Sequence, residues 1–140
     1  MIIIRTVDDL KKLDQNKSLF KAYKDPIIEH FLLLISAYGF EKTLGDSTLG
    51  GLVDVIVFEK GDNPRGLSLP MLPGNPSLFD TQPEYVEKLS LDGLEAYRIV
   101  FMLDNERMMF FYSEVGQFDS EIEEWLADQV EWFDYELDAK

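Results

Sequence analysis

Residues 97–112 read YRIVFMLDNERMMFFY, two strongly apolar runs either side of Asp104-Asn105-Glu106-Arg107. Aromatic and β-branched runs of strand length around a short polar turn predict a β-hairpin. A turn centred on Asn105-Glu106 sets Phe101 opposite Phe110 and Ile99 opposite Tyr112. One face then carries Tyr97, Ile99, Phe101, Leu103, Met108, Phe110 and Tyr112. The other carries Arg98, Val100, Met102, Met109, Phe111 and Ser113. Side chains alternate with period 2, so a slip of one residue would exchange these partners. Both faces are apolar, whereas a half-solvated antiparallel strand alternates with polar residues. The hairpin is therefore expected at the centre of a sheet, covered on both faces. Left open, it would be a template for aggregation.

The cover comes from helical segments. In the first, Thr6 caps, Asp8 and Asp9 suit the first turn, and Leu10 and Leu13 form the inner edge. Leu19, Phe20 and Tyr23 suggest a second short piece. Asp25-Pro26 then reads as a restart, with Asp as N-cap and Pro at the first helical position. The helix expected over 26–38 ends at Gly39 and is apolar almost all round, apart from a stripe near Glu29 and Ser36. Such a helix is buried or lies in an interface, and a homodimer would use it. The last helix is expected over 120–138. Ser120-Glu121-Ile122-Glu123 fits a capping box. Ile122, Trp125, Leu126, Val130, Phe133 and Leu137 share its inner face.

Among the remaining segments, Met1–Arg5 reads as a short strand and Val53–Phe58 as a β-branched one. Gly45–Gly51 reads as a turn region. Leu91-Asp92-Gly93-Leu94 is a tight turn leading into the hairpin. Residues 61–83 hold five of the six prolines and form a long loop, with a short strand at Leu67–Met71 and a helical turn starting at Thr81–Glu84. The fold class predicted is α+β: an antiparallel sheet of four or five strands, with helices on one or both faces. The 140 residues suit one domain, 1–140, with one core.

Composition narrows the chemistry. There is no cysteine, which removes disulfides, thiolate metal sites and cysteine nucleophiles. No basic region precedes the apolar start MIII, as a secretory signal would require. The apolar run near Ile27–Tyr38 is too short to span a bilayer. The expectation is a cytoplasmic protein. The formal charge is −14, from 27 acidic and 13 basic residues. Residues 113–140 hold ten carboxylates and one lysine, hence −9, and residues 1–112 supply −5. Direct nucleic-acid binding and anionic membrane surfaces both need a basic footprint and are disfavoured.

No pattern names a reaction. His30 is the one histidine and lies within the apolar helix, where a structural role is expected. Gly66-Leu67-Ser68-Leu69-Pro70 lacks the second glycine of a nucleophile elbow. Gly45-Asp46-Ser47-Thr48-Leu49-Gly50 lacks the lysine of a P-loop, and Asp104-Asn105-Glu106 is too short for a calcium loop. No catalytic residue, metal site or cofactor is assigned. Two charges, Asp54 and Arg98, interrupt apolar strands and read as an ion pair or as the lining of a pocket. With Arg65 and Phe79 they make the alternative site, for a small molecule or a reaction under the 61–83 loop.

The main functional expectation rests on the last helix. Glu123, Glu124, Asp128, Glu131, Asp134 and Asp138 crowd one face with no interleaved lysine, so i,i+4 salt bridges are absent. Asp134, Glu136 and Asp138 also sit at the end where the dipole disfavours anions. Trp132 and Tyr135 lie off the inner face. A solvated helix face is the plain reading of such a charge run. A basic protein partner would offset its cost. In size and charge alone the chain is like small acidic inhibitors and immunity proteins.

Overall fold

The computed structural model describes residues 1–4, 7–17, 19, 21–37, 53–63, 77, 80–91, 93–102 and 108–138. Its elements, in chain order, are β1 (Ile2–Ile4), α1 (Val7–Gln15), α2 (Lys21–Ala37), β2 (Val53–Val57), β3 (Tyr85–Leu91), β4 (Leu94–Met102), β5 (Met108–Glu114) and α3 (Ser120–Asp138). The fold is α+β, and the described residues form a sheet of five strands in the order β1-β2-β5-β4-β3. Three strand pairs are antiparallel as expected, and β2 runs parallel to β5, so the sheet is mixed. The β4–β5 hairpin is internal, and β5 lies at the middle of the sheet. Met109 to Ser113 of β5 are all buried, which suits a strand covered on both faces.

The hairpin register differs from the predicted one by a residue. Met102 pairs with Met108, Val100 with Phe110 and Ile99 with Phe111. Phe101 and Phe110 therefore face opposite sides of the sheet, and the expectation that they are neighbours is overturned. The predicted turn at Asn105-Glu106 lies outside the described residues. What fixes the outcome is packing on two unequal floors. Phe110, Tyr112 and Ala96 join Leu10, Leu13, Tyr23, Ile27 and Phe31 from α1 and α2. Phe101, Ile99, Tyr97, Met109 and Phe111 join Ile122, Leu126 and Phe133 from α3. Phe111 is the hub of the second floor, stacked 5.6 Å from Phe58 and edge-on to Phe101 at 5.7 Å.

α2 begins at Lys21 and runs through Pro26, so the predicted restart at Asp25 is overturned. Proline removes one intrahelical hydrogen bond near the helix start. Burial of Tyr23, Ile27 and Phe31 along one stripe offsets that loss. Lys24 is 8% exposed, and its ammonium donates to the carbonyl oxygens of Asp14 at 2.8 Å and Asn16 at 2.7 Å. It caps the end of α1, where a cation suits the helix dipole, and ties α1 to α2. The outer side of α2 is open: Leu32 and Leu33 are exposed. Its predicted end at Gly39 lies outside the described residues, as do Thr6, the 45–51 turn and the 67–71 strand.

Leu91 and Leu94 pair across a two-residue turn, and Gly93 takes the positive φ of +89° that this turn needs. The helical turn predicted at Thr81–Glu84 is not there. A turn closes earlier instead, where the backbone N–H of Asp80 and the hydroxyl of Thr81 donate to the Ser77 carbonyl. α3 has the predicted span, but its cap is Asp119, whose carboxylate accepts from the Ile122 N–H at 3.0 Å. Ser120 is thus the first helical residue, not the cap.

Candidate functional site

α3 is placed by its inner stripe. Ile122, Leu126 and Phe133 are buried on the sheet, which turns Glu124, Asp128, Glu131 and Asp134 outward. None of these four has a cationic partner among the described residues. Trp132 and Tyr135 are 52% and 70% exposed. Trp132 meets Phe133 edge-on at 4.6 Å, so its ring is held while its outer side stays in water. Asp138 is the last residue of α3.

Glu123 does not belong with this set. Its Oε1 accepts from the backbone N–H of Gly116 at 2.9 Å and of Phe118 at 3.3 Å. It holds the turn that leads into α3, and is a local structural residue rather than a docking one. The predicted capping box hinted at a glutamate reaching backward, yet Glu123 reaches past the cap to the turn before it.

Beside the acidic face, a groove of about 480 Å³ runs between α3 and the β3–β4 hairpin. Lys88, Tyr97, Ala127, Val130, Glu131, Asp134 and Tyr135 line it. Lys88 is paired with Glu95 at 3.1 Å. Tyr97 is 4% exposed, and burial raises the pKa of its phenol, with the charge of Glu123 adding to the effect. The groove is not visible in the sequence, because it depends on how β3 and β4 pack against α3. A second groove, about 410 Å³, lies between α1 and α2 and mixes Lys11 with Asp14, Asp25 and Glu29.

The register does not bring positions 54 and 98 to one face of the sheet. Position 54 stands in the row of Met109, whereas Arg98 stands in the row of Tyr112, and adjacent positions alternate faces. The two belong to opposite sides of the sheet. Arg65 and Phe79 lie outside the described residues.

Arg98 is instead the middle of a polar row across the α2 side of the sheet. Glu87, Arg98 and Tyr112 are cross-strand partners on β3, β4 and β5. The Arg98 guanidinium is ion-paired with Glu87 and hydrogen-bonds the Tyr112 phenol. His30 reaches down from α2 to the same phenol through Nδ1. A guanidinium only donates, so the phenol oxygen accepts from Arg98 and its proton is free for Nδ1. That assignment puts the ring proton of His30 on Nε2. Burial lowers the His30 pKa to about 4, with the Arg98 charge adding to it. Burial raises that of Tyr112 to about 12, partly opposed by Arg98. Near neutrality the imidazole is an uncharged acceptor and the phenol keeps its proton. The hydroxyl of Tyr23, on α2, is buried with no hydrogen-bond partner among the described residues, and burial raises its pKa. This row is a polar tie between helix and sheet, and neither groove opens onto it.

Among the described residues, no group of three or more His, Asp or Glu side chains is arranged to hold a metal ion. Among them too, no helix is long and apolar enough to cross a membrane. No family model, curated protein or solved structure matches the chain.

Proposed function

We propose that this is a small acidic protein-interaction module of the inhibitor or immunity type, acting in the cytoplasm. It docks a basic protein partner on the outer face of α3. The observation that carries this reading is the company the carboxylates keep. Two large aromatics, Trp132 and Tyr135, stand exposed among Glu124, Asp128, Glu131 and Asp134. A merely solvating face gains nothing from exposed indole and phenol rings. Aromatic anchors inside a field of one sign are what a hot spot with electrostatic steering requires. α3 also has no basic residue in its last turn, where the dipole favours one.

The test is affinity capture at low salt, followed by association kinetics with the purified captured protein. The Asp128→Lys, Glu131→Lys variant should fold and associate at least about tenfold more slowly, with the difference shrinking as salt rises. A folded variant that associates as fast as the parent at low ionic strength overturns the proposal.

A further inference from the structure

We infer that the groove between α3 and the β3–β4 hairpin takes an arginine side chain of the partner, held between the Glu131 and Asp134 carboxylates and the Tyr97 and Tyr135 rings. This deepens the proposed function and rests on it, since it names the group that the acidic face receives.

Four observations support the assignment. The first is shape. The lining runs along α3 from Ala127 to Tyr135, about 12 Å at the helical rise, which matches one long extended side chain and its flanking backbone. The second is charge. Glu131 and Asp134 are three residues apart on one helix face, so both carboxylates border the same space and neither has a cationic partner among the described residues. The third is the buried phenol. Tyr97 is 4% exposed and lines the groove, so its ring is held in place beside the space between Glu131 and Asp134. It brings a phenol to the wall of the groove. The fourth is the aromatic wall, since Tyr135 at the rim is 70% exposed.

A guanidinium answers all four. It is planar, stacks on phenol rings, and presents five donors in a fork that suits two carboxylates and one hydroxyl oxygen. An ammonium offers charge without the plane or the fork. Lys88 at the rim does not fill this role, because its ammonium is already held by Glu95. It is a like charge that a bound arginine must tolerate.

The probe is a blocked hexapeptide with one central arginine, compared with its lysine and citrulline counterparts. Binding to the full-length protein is followed by amide chemical shifts at low salt. The arginine peptide should move the amides of Lys88, Tyr97, Val130, Glu131, Asp134 and Tyr135. Citrulline should bind at least about tenfold more weakly, and lysine should fall between. Glu131→Gln with Asp134→Asn should cost at least about tenfold, whereas Glu124→Gln with Asp128→Asn, outside the groove, should cost less than about threefold. Lys88→Gln should tighten binding. Equal losses in the two double variants would overturn the groove while leaving the acidic face as the docking surface. No saturable binding of the arginine peptide, or equal affinity for citrulline, would also overturn it, and the captured partner of the preceding test then decides the acidic face separately.

Discussion

His30 shows how much one residue's meaning depends on its neighbours. In the sequence it is a lone histidine in an apolar helix, and its expected structural role is what the tie to Tyr112 and Arg98 describes. Its partners were hidden because they lie across a helix–sheet contact and one rung of an unknown register. The consequence is a pH dependence with a definite sign. The folded protein holds the imidazole neutral down to about pH 4, whereas an unfolded chain protonates it near 6.5. The unfolded state binds more protons between these values, so this contribution is complete above pH 6.5 and is lost as pH falls toward 4. Because the ring is only partly shielded, its size is on the order of 1 kcal/mol. Urea midpoints at pH 7 and pH 4.5 should fall further for the parent than for His30→Gln, and equal falls would count against the tie. At the other pole of residue behaviour stands Phe111, fully buried at the hub of the α3 side. Phe111→Ala should cost about 3–5 kcal/mol, read from the same midpoints.

Elements were legible where local signals agree. α1, α3, β2 and the 91–94 turn follow from periodicity, β-branched composition and turn residues that need no tertiary partner, although the cap of α3 is Asp119 and not the expected Ser120. The hairpin strands were legible too, but not their register. With apolar residues on both faces, no pattern penalises a slip, so the feature that locates the core also conceals how its strands pair. The parallel β2–β5 contact was equally closed to local reasoning, since it joins segments separated by two other strands. α2 was misread at Pro26 because a proline after an aspartate resembles a helix start, and only the buried stripe of Tyr23, Ile27 and Phe31 shows the helix continuing across it. The Lys24 cap explains how two short-range helices become one layer. Lys24→Met keeps the stem but leaves the Asp14 and Asn16 carbonyls without their buried donor, so it should cost about 1–3 kcal/mol. Hydrogen exchange would show the loss first at the end of α1. A midpoint equal to that of the parent would mean that water replaces the ammonium there.

At the scale of the whole molecule the imbalance of charge decides behaviour. The chain carries −14, of which −9 falls in residues 113–140. Glu124, Asp128, Glu131 and Asp134 repel one another along α3, and Asp134 nears the helix end whose dipole resists it. Salt shortens the reach of exposed charges from about 30 Å at 0.01 M to about 10 Å at 0.1 M. The free protein should therefore become more stable as sodium chloride is added over that range. Asp134→Lys removes one repelling charge and supplies a cation to the helix end, so it should stabilise the parent at low salt by a few tenths to about 1 kcal/mol. The same substitution places an ammonium in the groove proposed to receive arginine, and binding of the arginine peptide should be lost. The two effects are expected in opposite directions from one change: higher melting temperature, weaker binding. A solvated face with no partner predicts the first without the second. If Asp134→Lys stabilises the protein and leaves peptide affinity unchanged, the carboxylates of α3 only keep the molecule in solution.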